Sequence, residues 1–424
     1  MSSAPDPVLV IGTTADYIKH ISEGEPERAV FLTDRTVYFG KESPPGGKVG
    51  LNITAPLHDA DRSFHRLQSS IGRWGINPAG VACFDCESLI LASDVAHRLN
   101  LPFPSRRAVM NCRDKLVSRR LWREREVLCP KAVPVFGEED IRASSGFMQY
   151  PVVVKPTALS GSELTFICEN PDEAVRNMHL VRDSLLQRAG DRTINRDGMV
   201  DGRAMLCEEY IAGEEYSCDF ISDGGRVKIA RTARKHLRVM GPAGTVWAYE
   251  VPGMRRGEVD RLDLSAIIAD AAGALGLKRC MGMADFIIRD GKTYFLEVTP
   301  RPGGDCLPQV IKHSCGLDML SAHLDFSTGL MPAVPPEDEW KRTVGLRVHA
   351  GRSGRLVSIR LRNGPVDNDI LEIEWYRKPG DWIEMPPIDY STWTLGHVIF
   401  RPLPGEDLTA QMERLSMSIE VEIE

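Results

Sequence analysis

The residues of this chain that could do chemistry are charged groups set inside apolar segments. Lys155 closes the run Val152-Val153-Val154, and Ser160-Gly161-Ser162 follows shortly after. A lysine at the end of a rigid strand beside a small-residue turn suits phosphate. The ammonium supplies charge, and successive backbone N–H groups form an anion-binding nest. A second element is Cys207-Glu208-Glu209-Tyr210-Ile211-Ala212-Gly213-Glu214-Glu215. Here two carboxylates, Glu208 and Glu215, lie either side of a short linker between strands. Backbone groups of such a linker can read a purine edge, and a carboxylate can accept from ribose hydroxyls. Taken singly, each pattern is also that of an ordinary solvated strand end or hairpin.

The third element is sharper. Asp285 lies in the apolar stretch Met283–Ile288, and Glu297 lies in Phe295–Val298, followed by Thr299 and Arg301. Register across the Asp290-Gly291 turn decides whether the carboxylates meet. A two-residue turn pairs Asp285 with Leu296 and sends Glu297 to the opposite face. A three-residue loop, Arg289-Asp290-Gly291, puts both carboxylates on one face diagonally across the strands, and alternation carries Thr299 and Arg301 there too. Two buried carboxylates facing each other are costly unless they share a cation, and a pair of carboxylates together with phosphate oxygens is the donor set Mg²⁺ prefers. A basic cluster, Arg231, Arg234, Lys235 and His236, reads either as a clamp for an anionic substrate or as a solvated edge.

These residues need elements to hold them. Val8–Gly12, a helix from about Asp16, the strand Arg28–Asp34, then Gly80–Asp85 and a helix to about Leu101 alternate strand with helix, the mark of a parallel sheet. The turn Gly12-Thr13-Thr14-Ala15-Asp16 lacks G-x-G-x-x-G, so no dinucleotide is assigned to it. Pro102 and Pro104 mark a boundary near residue 105, and the proline-rich 330–340 segment marks another near 335. Between them the spacing predicts one basic helix over Asn111–Glu126, strands at 131–136, 150–156 and 164–168, and a helix over 171–187. A polar loop over 188–203 and further strands around a Gly224-Gly225 turn follow. The tail reads as strands with one helix.

The chain has 424 residues, with 52 Lys and Arg against 59 Asp and Glu, hence 52 − 59 = −7. That mildly acidic balance excludes the electrostatic footprint of a nucleic-acid binder. No run of about 18 apolar residues predicts a membrane span, and the first residues carry no signal-peptide pattern. Ten cysteines, single apart from Cys83-x-x-Cys86, read as free thiols of a cytoplasmic protein, the pair as small core residues. The histidines show no zinc-motif spacing, and there is no P-loop.

Taken together, Arg113-Asp114-Lys115-Leu116, the Val152–Pro156 strand, the Glu208–Glu215 element and Phe295–Asp305 resemble, in order and spacing, the ATP-grasp superfamily of carboxylate–amine ligases. The C-terminal stretch over 371–414 looks like the terminal subdomain of the L-amino-acid ligase branch. The resemblance implies an α/β fold: an N-terminal Rossmann-like domain (1–105), an α+β ATP-grasp core (106–335) with a lid subdomain (about 145–212), and a mostly β subdomain (336–424). It implies that Lys115 and Lys155 contact ATP phosphates beneath a lid of Ser160, Gly161 and Ser162. Glu208 and the Tyr210 backbone would hold adenine, and Glu215 the ribose. Asp285 and Glu297, with Thr299, would bind Mg²⁺, or Mn²⁺ in its place; the family usually has Glu and Asn where Asp285 and Thr299 stand. Arg301 would sit by an acyl phosphate, and the N–H groups of Gly303 and Gly304 would hold the substrate carboxylate. The implied activity joins a small-molecule acid to an amine, amino acids foremost, releasing ADP and phosphate, and a homodimer is a family-level expectation. An ATP-grasp carboxylase, biotin-dependent or of purine-pathway type, and a non-catalytic ATP-binding regulator are the alternatives.

Overall fold

The computed structural model describes residues 6–24, 27–34, 51–187, 204–238, 242–254, 256–261, 263–362 and 369–424. The polar 188–203 segment singled out above lies outside them. The N-terminal region alternates strand and helix as expected: β1 (Val8–Ile11), α1 (Ala15–Gly24), β2 (Ala29–Thr33), β3 (Leu51–Thr54), α2 (Ala60–Trp74), β4 (Gly80–Ala82) and α3 (Leu89–Leu99). The strands form a parallel sheet in the order β3-β2-β1-β4. β1 and β2 are buried along their whole length, which is why they read as unbroken apolar runs rather than alternating ones. At Gly12, φ is +72° and a Cβ would lie 2.0 Å from Ser88 Oγ and 2.5 Å from Asp85 Oδ2. The turn after β1 is thus pressed against the 85–88 loop, and only glycine fits there.

Two helices follow, α4 (Arg106–Arg113) and α5 (Lys115–Glu124). The single basic helix expected here is broken, because the Asp114 carboxylate accepts from the N–H groups of Leu116 and Val117 and caps a new helix. Lys115 is therefore the first residue of α5 and not a position along a longer helix. Beyond it come β5 (Ala132–Val135), α6 (Glu138–Ser144), β6 (Val152–Pro156), β7 (Phe166–Cys168), α7 (Pro171–Gln187) and β8 (Met205–Glu209). They build a small sheet, β5-β8-β6-β7, whose Val152 and Val154 pack on Met178, Val181 and Leu185 of α7.

The next elements are β9 (Glu214–Asp223), β10 (Arg226–Leu237), β11 (Val246–Val251), α8 (Arg256–Arg261), α9 (Leu264–Ala274), β12 (Arg279–Arg289) and β13 (Lys292–Thr299). Then come α10 (Leu307–Cys315), α11 (Met319–Ser327), β14 (Thr343–His349), β15 (Gly354–Leu361) and β16 (Asp369–Trp375). The chain closes with β17 (Trp382–Ile383), β18 (Thr394–Arg401), α12 (Leu408–Met417) and β19 (Ile419–Ile423). One eight-stranded sheet runs β13-β12-β9-β10-β11-β14-β18-β16, and a three-stranded one β17-β15-β19. The large sheet thus continues across residue 335: β14 pairs with β11 from Ala248↔Leu346 to Val251↔Thr343.

Trp122 of α5, Phe286 of β12 and Phe295 of β13 are at most 1% exposed, with ring centroids 5.9 and 6.0 Å apart along the chain of contacts. Each buried ring contributes about 2–3 kcal/mol, and the Trp122 indole N–H donates to Ala271 O at 3.0 Å. Together they lock the helix that begins with Lys115 against the hairpin that carries Asp285 and Glu297.

Candidate active site

The small and large sheets are joined by Tyr210–Gly213, and the charged residues gather where the two meet. On the small-sheet side, Val153 of β6 is the register partner of Glu208 on β8, and Lys155 follows two residues on. The Lys155 ammonium donates to Glu208 Oε1, and Arg119 of α5 donates to Glu208 Oε2 at 3.1 Å. All three are buried, Arg119 wholly so. Burial works to raise the Glu208 pKa, but Lys155 and Arg119 outweigh it and hold the carboxyl below its ordinary range. Each oxygen of Glu208 is engaged by a cation, so in this geometry it orients Lys155 and is not aimed at a purine. Tyr210 stands in the linker, 37% exposed.

Lys115 begins α5, and its ammonium donates to Leu159 O at 2.6 Å, while Arg113 donates to Ala158 O at 2.8 Å. Both therefore grip the backbone that leads from β6 into the 160–162 turn. Burial lowers the Lys115 pKa to about 8; Glu297 opposes this, and Lys155, Arg113 and Arg119 reinforce it. A lysine crowded by three other cations marks a region of concentrated positive potential.

Across from it, Asp285 and Glu297 are direct register partners on β12 and β13. Of the two turns the sequence leaves open, the structure takes the shorter. Arg289 pairs with Lys292, so the turn is the two-residue Asp290-Gly291, with φ of +52° and +70°, the positive-φ pair that tight hairpins require. The carboxylates are nevertheless brought together because a β-bulge between Asp285 and Phe286 skips Leu296, moving the partner from Leu296 to Glu297. The Thr299 hydroxyl donates to Glu297 Oε1 at 2.9 Å. Burial would raise the Glu297 pKa, but Lys115, Arg113 and the Thr299 hydroxyl bring it below the usual range. Asp285 and Glu215 share Lys235, whose ammonium lies 2.8 Å from Asp285 Oδ2 and 2.8 Å from Glu215 Oε1. Asp285 Oδ1 is buried without a hydrogen-bond partner among the described residues.

Arg301 follows β13. Its Nε donates to Cys86 Sγ at 3.0 Å and its Nη1 to Pro302 O at 2.7 Å. Burial lowers its pKa, yet Cys86, Glu297 and Glu87 carry it above the ordinary arginine value. The neighbouring Glu87 accepts from the Ser160 hydroxyl at 2.8 Å. The 160–164 turn holds left-handed backbone at Gly161, Ser162 and Leu164. It is tethered on its other side by the Leu164 N–H, which donates to Tyr390 Oη at 3.1 Å. The turn thus lies folded down, fastened to the N-terminal region through Glu87 at one end and to the C-terminal region through Tyr390 at the other.

Arg231 is not presented to a ligand. It is 2% exposed, and it donates to Asp219 Oδ2 (2.8 Å), Ser217 O (2.9 Å) and Ser217 Oγ (3.3 Å). Asp219 Oδ1 in turn accepts from the Gly303 N–H at 2.7 Å. That N–H, expected to hold a substrate carboxylate, is already taken, and the Asp219–Arg231 pair braces the Gly303 turn instead. A Cβ on Gly303 would lie 2.3 Å from Arg231 Nη2, and one on Gly304 would lie 3.4 Å from Arg301 Nη1.

The sequence reading passed over Arg119, Glu87 and Asp219, and it named Arg113, Lys235 and Cys86 without the partners the structure gives them. For Lys235 a signal existed: alternation along β10 sets Arg231, Ala233 and Lys235 on the face opposite Arg234, whose side chain is 41% exposed. For Cys86 and Glu87 none did, since they reach Arg301 and Ser160 across sequence separations of 215 and 73.

Residues 112–305 match the family model of the ATP-grasp domain. The chain is 22% identical over 246 residues to a D-alanine–D-alanine ligase of Ralstonia nicotianae (strain ATCC BAA-1114 / GMI1000). That match takes in 54% of this chain and 66% of the relative, just under two thirds of its length. Among solved structures, the L-amino acid ligase of Bacillus licheniformis superimposes with a TM-score of 0.79 over 100% of both chains, at 18% identity. The biotin carboxylase domain of a Hydrogenobacter thermophilus 2-oxoglutarate carboxylase, solved with MgADP, gives 0.68 over 99% of this chain and 91% of that one, at 16% identity. The likeness to these structures is one of fold.

Proposed function

Starting from a chain that carries an ATP-grasp domain, we propose that it is an ATP-dependent ligase joining a small-molecule carboxylate to an amine through an acyl phosphate, with an amino acid among its substrates. The observation that carries this reading is the cluster in which Arg113, Lys115, Arg119, Lys155 and Arg301 outnumber Glu87, Glu208 and Glu297 in one buried to half-buried region. An excess of cations withdrawn from solvent is costly unless a polyanion completes it, and a triphosphate passing its terminal phosphoryl group to a carboxylate is such a polyanion.

The donor set fits magnesium. Asp285 Oδ1 is a buried, unpartnered carboxylate oxygen on the register partner of Glu297, and both belong to the hard oxygen class Mg²⁺ takes. Asp285 and Glu297, with the Thr299 hydroxyl beside Glu297, would hold the ion, which when bound neutralises charge on phosphate oxygens. The side chains do the rest. Lys155, oriented by Glu208, and Lys115, fixed to Leu159 O, supply positive charge to the transferring group. Lys235 keeps Asp285 and Glu215 in place. Arg301, steadied by Cys86 and Pro302 O, is set to stabilise the anion that forms when an amine adds to the activated carboxyl carbon; phosphate then leaves. The Ser160–Leu164 turn, tied to Glu87 and Tyr390, excludes water from an intermediate that would otherwise hydrolyse. Asp219 and Arg231 position the Gly303 turn next to Arg301.

The test is ADP and phosphate release by the full chain with ATP, Mg²⁺ and a matrix of paired amino acids, with hydroxylamine added to trap an acyl phosphate as the hydroxamate. Amide product with stoichiometric ADP is expected. Release that needs bicarbonate and no amine, or none with any pair, would overturn the proposal.

A further inference from the structure

A second cluster of ligating side chains lies outside the ATP-grasp site, on the last strands of the large sheet. β16 and β18 pair antiparallel with Glu374 opposite His397, and Glu372 is two residues back on the same strand. Glu372, Glu374 and His397 therefore project from one face by strand geometry alone. One ligand atom from each lies within 4.8 Å of the others. His397 Nε2 is 3.4 Å from Glu372 Oε1, which is the edge of a tetrahedron whose metal–ligand bonds are about 2.0–2.1 Å. Glu374 Oε2 is buried with no hydrogen-bond partner among the described residues. Facing it at 3.9 Å is His20 Nε2 of α1, too far for a hydrogen bond, with Gln309 Nε2 3.4 Å from that same nitrogen.

The surroundings are those of a ligand set held in place. Tyr376 Oη lies 2.7 Å from His397 Nδ1; with the ring proton on Nδ1, the Nε2 lone pair points into the cluster. His313 Nε2 lies 2.7 Å from Glu372 Oε2 and leaves Oε1 turned inward. Outer partners of this kind fix the tautomer and carboxylate orientation in metal sites.

We infer that Glu372, Glu374 and His397 form a binding site for a divalent transition-metal ion, with Zn²⁺ the best match to one imidazole nitrogen and two carboxylate oxygens, a fourth position being left to solvent. The two carboxylates balance its charge, and the nitrogen disfavours Mg²⁺ and Ca²⁺, which take oxygen. The ion would tie β16 to β18 beside His20 of α1 and Gln309 and His313 of α10, as a cross-link rather than in phosphoryl transfer.

The experiment uses the tag-free full chain, stripped with chelator, titrated with ZnCl₂ and separately with CoCl₂. One equivalent per chain is expected, with the visible bands of tetrahedral Co²⁺. The isosteric variant E372Q/E374Q should lose that equivalent while D285N/E297Q keeps it, which separates this site from the magnesium residues proposed above. Y376F, which leaves every ligand in place, should weaken binding about 10–100-fold. No stoichiometric uptake, an octahedral Co²⁺ spectrum, or unchanged binding in both E372Q/E374Q and Y376F would overturn the inference.

Discussion

Lys115 gives the most quantitative handle on the proposed phosphate site. Its ammonium is half-buried among Arg113, Arg119 and Lys155, and its pKa falls from 10.5 to about 8. At about 1.36 kcal/mol per pH unit, keeping it charged in the folded chain costs about 3 kcal/mol. Lys115→Met removes that cost together with one hydrogen bond to Leu159 O, worth about 1 kcal/mol. The ligand-free variant should thus be more stable than the parent by about 2 kcal/mol at pH 7. Below pH 8 the lysine is charged in both folded and unfolded chains, so the whole cost is present. Between pH 8 and 10.5 the folded chain has released the proton and the unfolded chain has not, so the parent gains stability as pH rises, and the variant's advantage vanishes and reverses to a deficit of about 1 kcal/mol, the lost hydrogen bond. Nucleotide affinity should move the other way. Loss of a charge-assisted contact of about 1.5–3 kcal/mol weakens ATP binding about ten- to hundredfold. Urea unfolding of both proteins at pH 7, 8.5 and 10, with ATP titration at pH 7, measures all of this. A Lys115→Met protein that is no more stable at pH 7, or whose advantage is flat between pH 8 and 10.5, would refute the electrostatic account of the cluster.

Other perturbations test neighbouring parts. Glu208→Gln leaves Lys155 and Arg119 buried without their counter-charge and should destabilise the fold by about 3–5 kcal/mol, read as a lower urea midpoint; an unchanged midpoint would mean the triad holds nothing together. Arg301→Ala should lower kcat for ADP release about 10²–10³-fold with little change in KM, and a pure KM effect would remove Arg301 from the chemical step. Gly303→Ala drives a methyl into the Arg231 guanidinium and should cost activity far more than stability, with Gly161→Ala, which meets open space but strained backbone, as the comparison. Tyr390→Phe removes the acceptor of the Leu164 N–H, worth about 1 kcal/mol. It should raise ADP formed per amide several-fold as water reaches the intermediate; unaltered coupling would show that the turn closes without Tyr390.

Much of the candidate site was legible because its charged residues stand in places that packing would not choose. Asp285 and Glu297 stand out within apolar strands, and Lys155 at the end of one. Their convergence was legible only as a condition, since period-two pairing and the Asp290-Gly291 turn by themselves send the carboxylates to opposite faces. The bulge at Leu296 reverses this, and nothing in the local composition announces it. The break at Asp114 was legible in principle, because an aspartate ahead of an apolar helix face is a capping residue, but the basic residues on both sides mimic one continuous helix. Glu208 and Arg231 carry charge at positions the motifs single out, yet their work is to hold Lys155 and the Gly303 turn. A motif marks which residues matter without saying which partner each one faces. The parallel N-terminal sheet followed from the strand–helix alternation, whereas Cys86 and Glu87 became visible only once the fold carried their loop to Arg301 and Ser160.

The continuity of the large sheet beyond residue 335 bears on how this chain can be cut. Removing everything after that point would bare β11 from Ala248 to Val251, leaving its outward amide and carbonyl groups with no neighbour and Ala248 without its packing against Leu346 and Val398. A raw flank of that kind recruits other strands. A truncated ATP-grasp core should therefore self-associate at concentrations where the intact chain stays dispersed, and any dissection of this protein has to carry β14, β18 and β16 along with the core.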